Sequence, residues 1–152
     1  IAIRTASHAF ATRDGQAPEG RALWPEFDRE VLHGNYEGHF GNHRDQGDPP
    51  TKVWIHPDAE GSPLVEGLPS GEFIVDSWLY KMTPLEPPAK PLLLGQVANQ
   101  EVQPVAWTVM RNGGQRIFYT SLGSQADFEQ AEFVQLLNNA VDWAARSLAK
   151  RQ

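Results

Sequence analysis

The side chains in this chain that could do chemistry are histidine, serine, arginine and the carboxylates. The 152 residues hold five histidines and no cysteine. That removes thiolate nucleophiles, thiolate metal sites and redox-active dithiols. Ile1-Ala2-Ile3-Arg4 reads as a central buried strand, and His8 follows it by four residues in Arg4-Thr5-Ala6-Ser7-His8. In open α/β sheets ligands collect at the carboxyl ends of strands, so Arg4 and His8 are candidate pocket residues. The competing reading is a turn in which Thr5, Ser7 and His8 bond nearby backbone.

His39 and His43 lie four apart in Tyr36-Glu37-Gly38-His39-Phe40-Gly41-Asn42-His43. Glycines let backbone approach a ligand, and two imidazoles could share a metal. On a helix this spacing would aim both at one point; on a glycine-rich loop that argument lapses. Solvated loop histidines are the alternative, favoured for His43 and evenly balanced for His39. Asp76, Ser77, Trp78 and Tyr80 form a polar-aromatic patch suited to a sugar, whose C–H faces stack while its hydroxyls hydrogen-bond. A core Trp and Tyr beside an Asp-capped turn would look the same. His56, before Pro57, reads as a structural cap, and His33 as the exposed last turn of a helix. Ser121-Leu122-Gly123-Ser124 lacks G-x-S-x-G, so Ser124 reads as a helix cap rather than a nucleophile. There is no dinucleotide fingerprint, Walker loop or HExxH, and no cofactor is indicated.

These residues need elements to hold them. Residues 24–34 read as a short helix with Pro25 in its first turn, Phe27 and Val31 on one face and Gly34 as its stop. Residues 35–48 form a long loop, expected to lie over the end of the first strand. Residues 51–56 read as a strand and 62–67 as one helical turn capped by Ser62. Residues 72–75 and 78–82 are short strand candidates. Four prolines make 83–91 an extended connector. Residues 92–97, 105–111 and 116–122 read as strands, the last two joined by an Asn112-Gly113-Gly114 hairpin turn. Apolar residues at spacings of three and four from Phe133 to Leu148 predict a helix over 129–150, with Trp143 packed on the sheet. Together these give an α/β or α+β layered domain.

Thirteen Lys and Arg against nineteen Asp and Glu give a net charge of −6. With no basic cluster, no nucleic-acid partner is expected, since such binding rests on phosphate neutralisation. No apolar run is long enough for a membrane span. A chain of this size can bury roughly 69% of its open-chain surface, enough for one core.

Several stretches resemble the trehalose-utilisation (ThuA-like) family. They are Pro104-Val105-Ala106-Trp107, Gly114 through Gly123, Asp127-Phe128 and Asn139 through Ala145. Gly34 through His39 resembles that family's Gly-Gly-x-Phe-x-x-His stretch. His56-Pro57 to Gly67-Leu68 and Asp76 to Tyr80 fall in the family's order. The resemblance implies a class I glutamine-amidotransferase-like fold, a flavodoxin-like three-layer sandwich spanning residues 1–152 as the C-terminal portion of one domain. On that resemblance an N-terminal part is expected to precede Ile1. The amidotransferase cysteine position is taken by Arg4-Thr5-Ala6-Ser7, so thiolate-driven glutamine hydrolysis is excluded. Many members carry His where Arg4 and Ser124 stand. The implied activity is carbohydrate catabolism on a small sugar-like ligand. His8 and His39 are its expected acid/base residues, and Arg4, Asp76 and Tyr80 its expected binding residues. A homo-oligomer is compatible with this. The alternatives are a non-catalytic sugar-binding or scaffold domain, and a metal-dependent hydrolase using His39 with His8 or His43.

Overall fold

A computed structural model describes residues 1–11, 15–17, 19–41 and 49–146. Among the described residues, eight strands form two sheets. They are β1 (Ala2–Ile3), β2 (His39–Phe40), β3 (Thr51–Ile55), β4 (Phe73–Val75), β5 (Leu79–Tyr80), β6 (Lys90–Gln96), β7 (Gln103–Arg111) and β8 (Gln115–Thr120). The larger, six-stranded sheet runs β1-β8-β7-β6-β3-β4, and β2 pairs separately with β5. Only β1 and β8 are parallel; the other described pairings are antiparallel. The fold is therefore a mixed α/β arrangement closed by one helix, α1 (Ala131–Ala145).

Residue pattern explains the layering. In β7 every residue from Gln103 to Val109 is buried, as expected of a strand covered on both faces. Phe118 joins a cluster with Phe133, Leu136 and Ala140 of α1, while its neighbour Tyr119 joins Trp107, Val109, Met82 and Leu32 in a second cluster. Alternation along β8 thus divides the core in two. Each fully buried Phe or Leu contributes about 1.5–3 kcal/mol. The β7–β8 hairpin turns at Gly113 and Gly114, both with positive φ (83° and 74°), which glycine adopts without penalty. Asn139 Nδ2 ties α1 to the carbonyls of Leu64 and Glu66 (3.2 and 2.8 Å).

Several expectations need correction. The first strand is neither central nor buried: β1 is the sheet's edge among the described residues, and Ile1 is 53% exposed. Two residues suffice to pair β8 on one side but cannot bury an apolar run. Residues 24–34 hold one wide helical turn, Asp28–Leu32, closed by His33 N–H to the Asp28 carbonyl; the stop is His33 at φ 56°, not Gly34. Gly34 is there for space: a Cβ would sit 2.7 Å from Asp28 Oδ1 and 3.0 Å from Trp107 Cζ2. Ser62 caps a turn through Leu64 N–H (3.3 Å), without a helix. The expected loop 35–48 contains β2, because Gly38 at φ 106° lets the chain turn into pairing with β5. Residues 42–48, with His43, and the end of the expected long helix lie outside the described residues. Trp143 is only half-buried, its ring covered by the Arg116 guanidinium 5.0 Å away.

Candidate functional site

Three of the expected site residues, Arg4, His8 and His39, converge on the ring of a fourth, Tyr80. Tyr80 and His39 are cross-strand partners in the β2–β5 pair, which places their side chains on the same face. Their rings lie 6.3 Å apart. The pairing extends through Glu37 N–H to the Lys81 carbonyl (3.0 Å) and Lys81 N–H to the Gly38 carbonyl (2.9 Å). His39 is exposed and packs on Trp78 at 4.3 Å.

His8 arrives from the other side of the chain. β1 ends in a tight helical turn, Arg4–His8, and Arg4 opens it at φ 50°. A non-glycine residue in that region is strained, and such strain collects at functional sites. Strand, strained residue and helical turn are also the parts of a nucleophile elbow; in this chain a guanidinium occupies the apex. Tyr119 Oη donates to the Arg4 carbonyl (2.8 Å), holding the bend from beneath. The turn aims His8 at Tyr36, stacked at 4.2 Å and 15°, and at Tyr80, 5.8 Å away. The Arg4 guanidinium also lies over Tyr80, at 5.8 Å.

Ser7 holds the His8 ring: its Oγ lies 3.1 Å from His8 Nδ1 and 3.4 Å from the Arg4 carbonyl, to which it donates. Among the described residues no hydrogen bond reaches Nε2. Burial, then the nearby His39 and Arg4, lower the His8 pKa below its usual 6.5. His8 is thus a neutral base near pH 7, not an acid. Burial raises the Tyr80 hydroxyl pKa, with Arg4 opposing.

Beneath the rings lies a buried polar knot. Asp127 is fully buried and accepts backbone N–H from Asp76, Ser77, Gly123 and Ser124, and the hydroxyl of Ser77. Ser77 Oγ accepts in turn from Arg4 Nη1 and Ser124 N–H, each at 3.0 Å. Asp76 enters this knot through its backbone. Burial alone would raise the Asp127 pKa; the bonds from Ser77, Gly123, Asp76 and Ser124 reverse that and lower it.

A family model for trehalose utilisation (ThuA) matches residues 17–144. The chain belongs to the ThuA family. No curated protein matches it. The ThuA match takes in His39, Asp76, Tyr80 and Asp127, whereas Arg4 and His8 precede it. Two supporting expectations also hold within the match: His56 Nδ1 accepts Asp58 N–H (3.1 Å), and Ser124 Oγ accepts Asp127 N–H (3.4 Å).

Sequence reasoning did not single out Asp127, Ser7 or Asp28, and it met Tyr36 only as part of a motif. Asp127 had a readable signal, because Ser124-Gln125-Ala126-Asp127 is a capping-box spacing and its bonds are reciprocal. Tyr36 had none, since its stack on His8 joins distant segments. Cavities of about 430 Å³ (at Ser62, Val65 and Ser70) and 450 Å³ (at Lys81, Thr83 and Asn99) are not lined by Arg4, His8 or His39. Among the described residues no three His, Asp or Glu side chains group to hold a metal, and no helix is long and apolar enough to cross a membrane.

Proposed function

We propose that this ThuA-family chain serves trehalose-related carbohydrate catabolism by binding a small sugar-like ligand at the cluster that Arg4, His8, His39 and Asp76 build around the buried Tyr80. The observation that carries the reading is the convergence of Arg4, His8 and His39 on one tyrosine ring in a ThuA-family chain. Aromatic faces suit the C–H faces of a sugar ring, and cation and imidazoles suit its hydroxyls. His8 Nε2 takes a substrate proton as general base; exposed His39 returns one. We further propose that the chain adopts a flavodoxin-like, class I glutamine-amidotransferase-like sandwich. The parallel β1–β8 pair and the strained turn after β1 support that. The expected partner is a small molecule rather than nucleic acid or membrane.

A second reading, a sugar-binding module without turnover, is favoured by Ser124. Its N–H and hydroxyl are both used in the knot with Asp127, so the position supplies no acid or base. Calorimetry with trehalose, glucose and sugar acids tests binding, and product analysis separates the two readings. His39→Ala should abolish the heat while changing stability by about 1 kcal/mol or less. No heat from any of these sugars would sink both readings.

A further inference from the structure

We infer that the ligand of this site carries a carboxylate, and that Arg4 is the residue that recognises it: the substrate class is a sugar acid rather than a neutral sugar. The inference rests on the reading of the Tyr80 cluster as a ligand site, and adds to it the chemistry of one group.

The guanidinium is fixed but not neutralised. Nη1 donates to Ser77 Oγ at 3.0 Å, and the cation lies over the Tyr80 ring. Among the described residues no carboxylate lies within 4.0 Å of it, and Nε and Nη2 donate no hydrogen bond. Most of a five-donor fork is therefore left for something else. Ser77 cannot serve as a counter-ion. It is a neutral hydroxyl whose own proton goes to Asp127, so the chain Asp127–Ser77–Arg4 orients the cation without cancelling its charge. Backbone at φ 50° holds the side chain at the strand end, and the Tyr119 bond to the Arg4 carbonyl keeps it there. A half-buried, oriented and unpaired guanidinium beside a neutral imidazole base matches the planar, bidentate geometry of a carboxylate. A neutral sugar would leave that charge unanswered in a partly desolvated place.

The test uses D-glucuronate against D-glucuronamide, which differ at the carboxylate alone, with the purified full chain. Calorimetry should show glucuronate binding roughly thirty-fold tighter, the range of a charge-assisted pair. The preference should weaken with added salt. Arg4→Gln should erase the preference of glucuronate over glucuronamide. NMR titration of His8 in the unaltered protein gives a readout that does not depend on the variant folding. Saturation with glucuronate should move the His8 midpoint upward, because the bound anion offsets the Arg4 charge that helps hold it down. Equal affinity for the two compounds, lost in His39→Ala, would overturn the inference and leave the sugar site standing. A glucuronate preference that survives Arg4→Gln with an unmoved His8 midpoint would overturn it too, by assigning recognition to another cation. If neither compound, nor trehalose, nor glucose binds, the site reading fails and this inference with it.

Discussion

His8 is the imidazole whose surroundings most constrain its charge. Burial disfavours the imidazolium, and His39 and Arg4 add like-charge repulsion. A folded-state pKa below the unfolded value means that the unfolded chain binds the proton first as pH drops. The stability this contributes is present above pH 6.5 and is lost as pH falls through the lowered folded value. His8→Asn should therefore flatten the pH dependence of the denaturation midpoint below pH 6.5, while leaving the slope above it unchanged. Any turnover should follow the same deprotonation, rising with pH through a midpoint below 6.5. A profile that instead falls across this interval would make His8 an acid.

Among the elements, the join between the β4–β5 turn and the segment before α1 matters most to the site, and one carboxylate makes it. Asp127→Ala would remove the acceptor of the Asp76, Ser77 and Gly123 N–H groups and of the Ser77 hydroxyl, while Ser124 N–H keeps its bond to Ser77 Oγ. Chemical denaturation should show a loss of about 3–4 kcal/mol, and ligand binding should weaken because Ser77 no longer orients Arg4. The Asp127 contribution is present above its unfolded pKa of 3.8 and disappears as pH falls through its lowered folded value. Trp143→Ala is a milder case. Its ring is half-buried beneath Arg116, so a loss of about 1–3 kcal/mol is expected rather than that of a core tryptophan. A midpoint unchanged from the parent would place the ring wholly in solvent. The strands β3, β6, β7 and β8 were legible because each is an apolar run between turn residues, and Gly113-Gly114 marked their tightest hairpin. The register that sets His39 opposite Tyr80 was not, because β2 and β5 have two residues each and no local periodicity survives at that length. The edge position of β1 was equally hidden: apolar residues at a strand's start do not reveal how many neighbours it has. Arg4 and His8 could be named from their place after a strand, but the Ser77–Asp127 knot that orients Arg4 depends on contacts between segments about fifty residues apart.

Across the whole molecule, three buried or half-buried titrating groups pull stability in opposite directions with pH. His8 and Asp127 both favour the folded state at higher pH; Asp28 does the reverse. Asp28 is 6% exposed, accepts Tyr36 N–H on Oδ2 at 2.7 Å, and has no hydrogen-bond partner for Oδ1 among the described residues. Burial raises its pKa, only partly offset by the Tyr36 bond and by Arg29. A raised folded-state pKa contributes stability that is complete below 3.8 and is lost as pH rises through the folded value. Above that value the molecule carries an ionised carboxylate beside Gly34 that its burial does not favour. It also carries the benefit of that group's bond to Tyr36, the residue that stacks on His8. Asp28→Asn keeps an acceptor for Tyr36 N–H and removes the charge. The variant should have a higher denaturation midpoint than the parent at pH 7. The gain should shrink as pH is lowered through the raised Asp28 value and vanish below 3.8, where the parent is neutral too. Ligand binding should persist, because Tyr36 is still held. A loss of stability at every pH would mean that the amide N–H₂, buried where Oδ1 has no hydrogen-bond partner among the described residues, costs more than the buried charge. In that case Asp28 is kept for packing as well as for its bond to Tyr36. A gain that grows from pH 4 to pH 7 would mean instead that the buried charge, and not the bond to Tyr36, is what the packing disfavours.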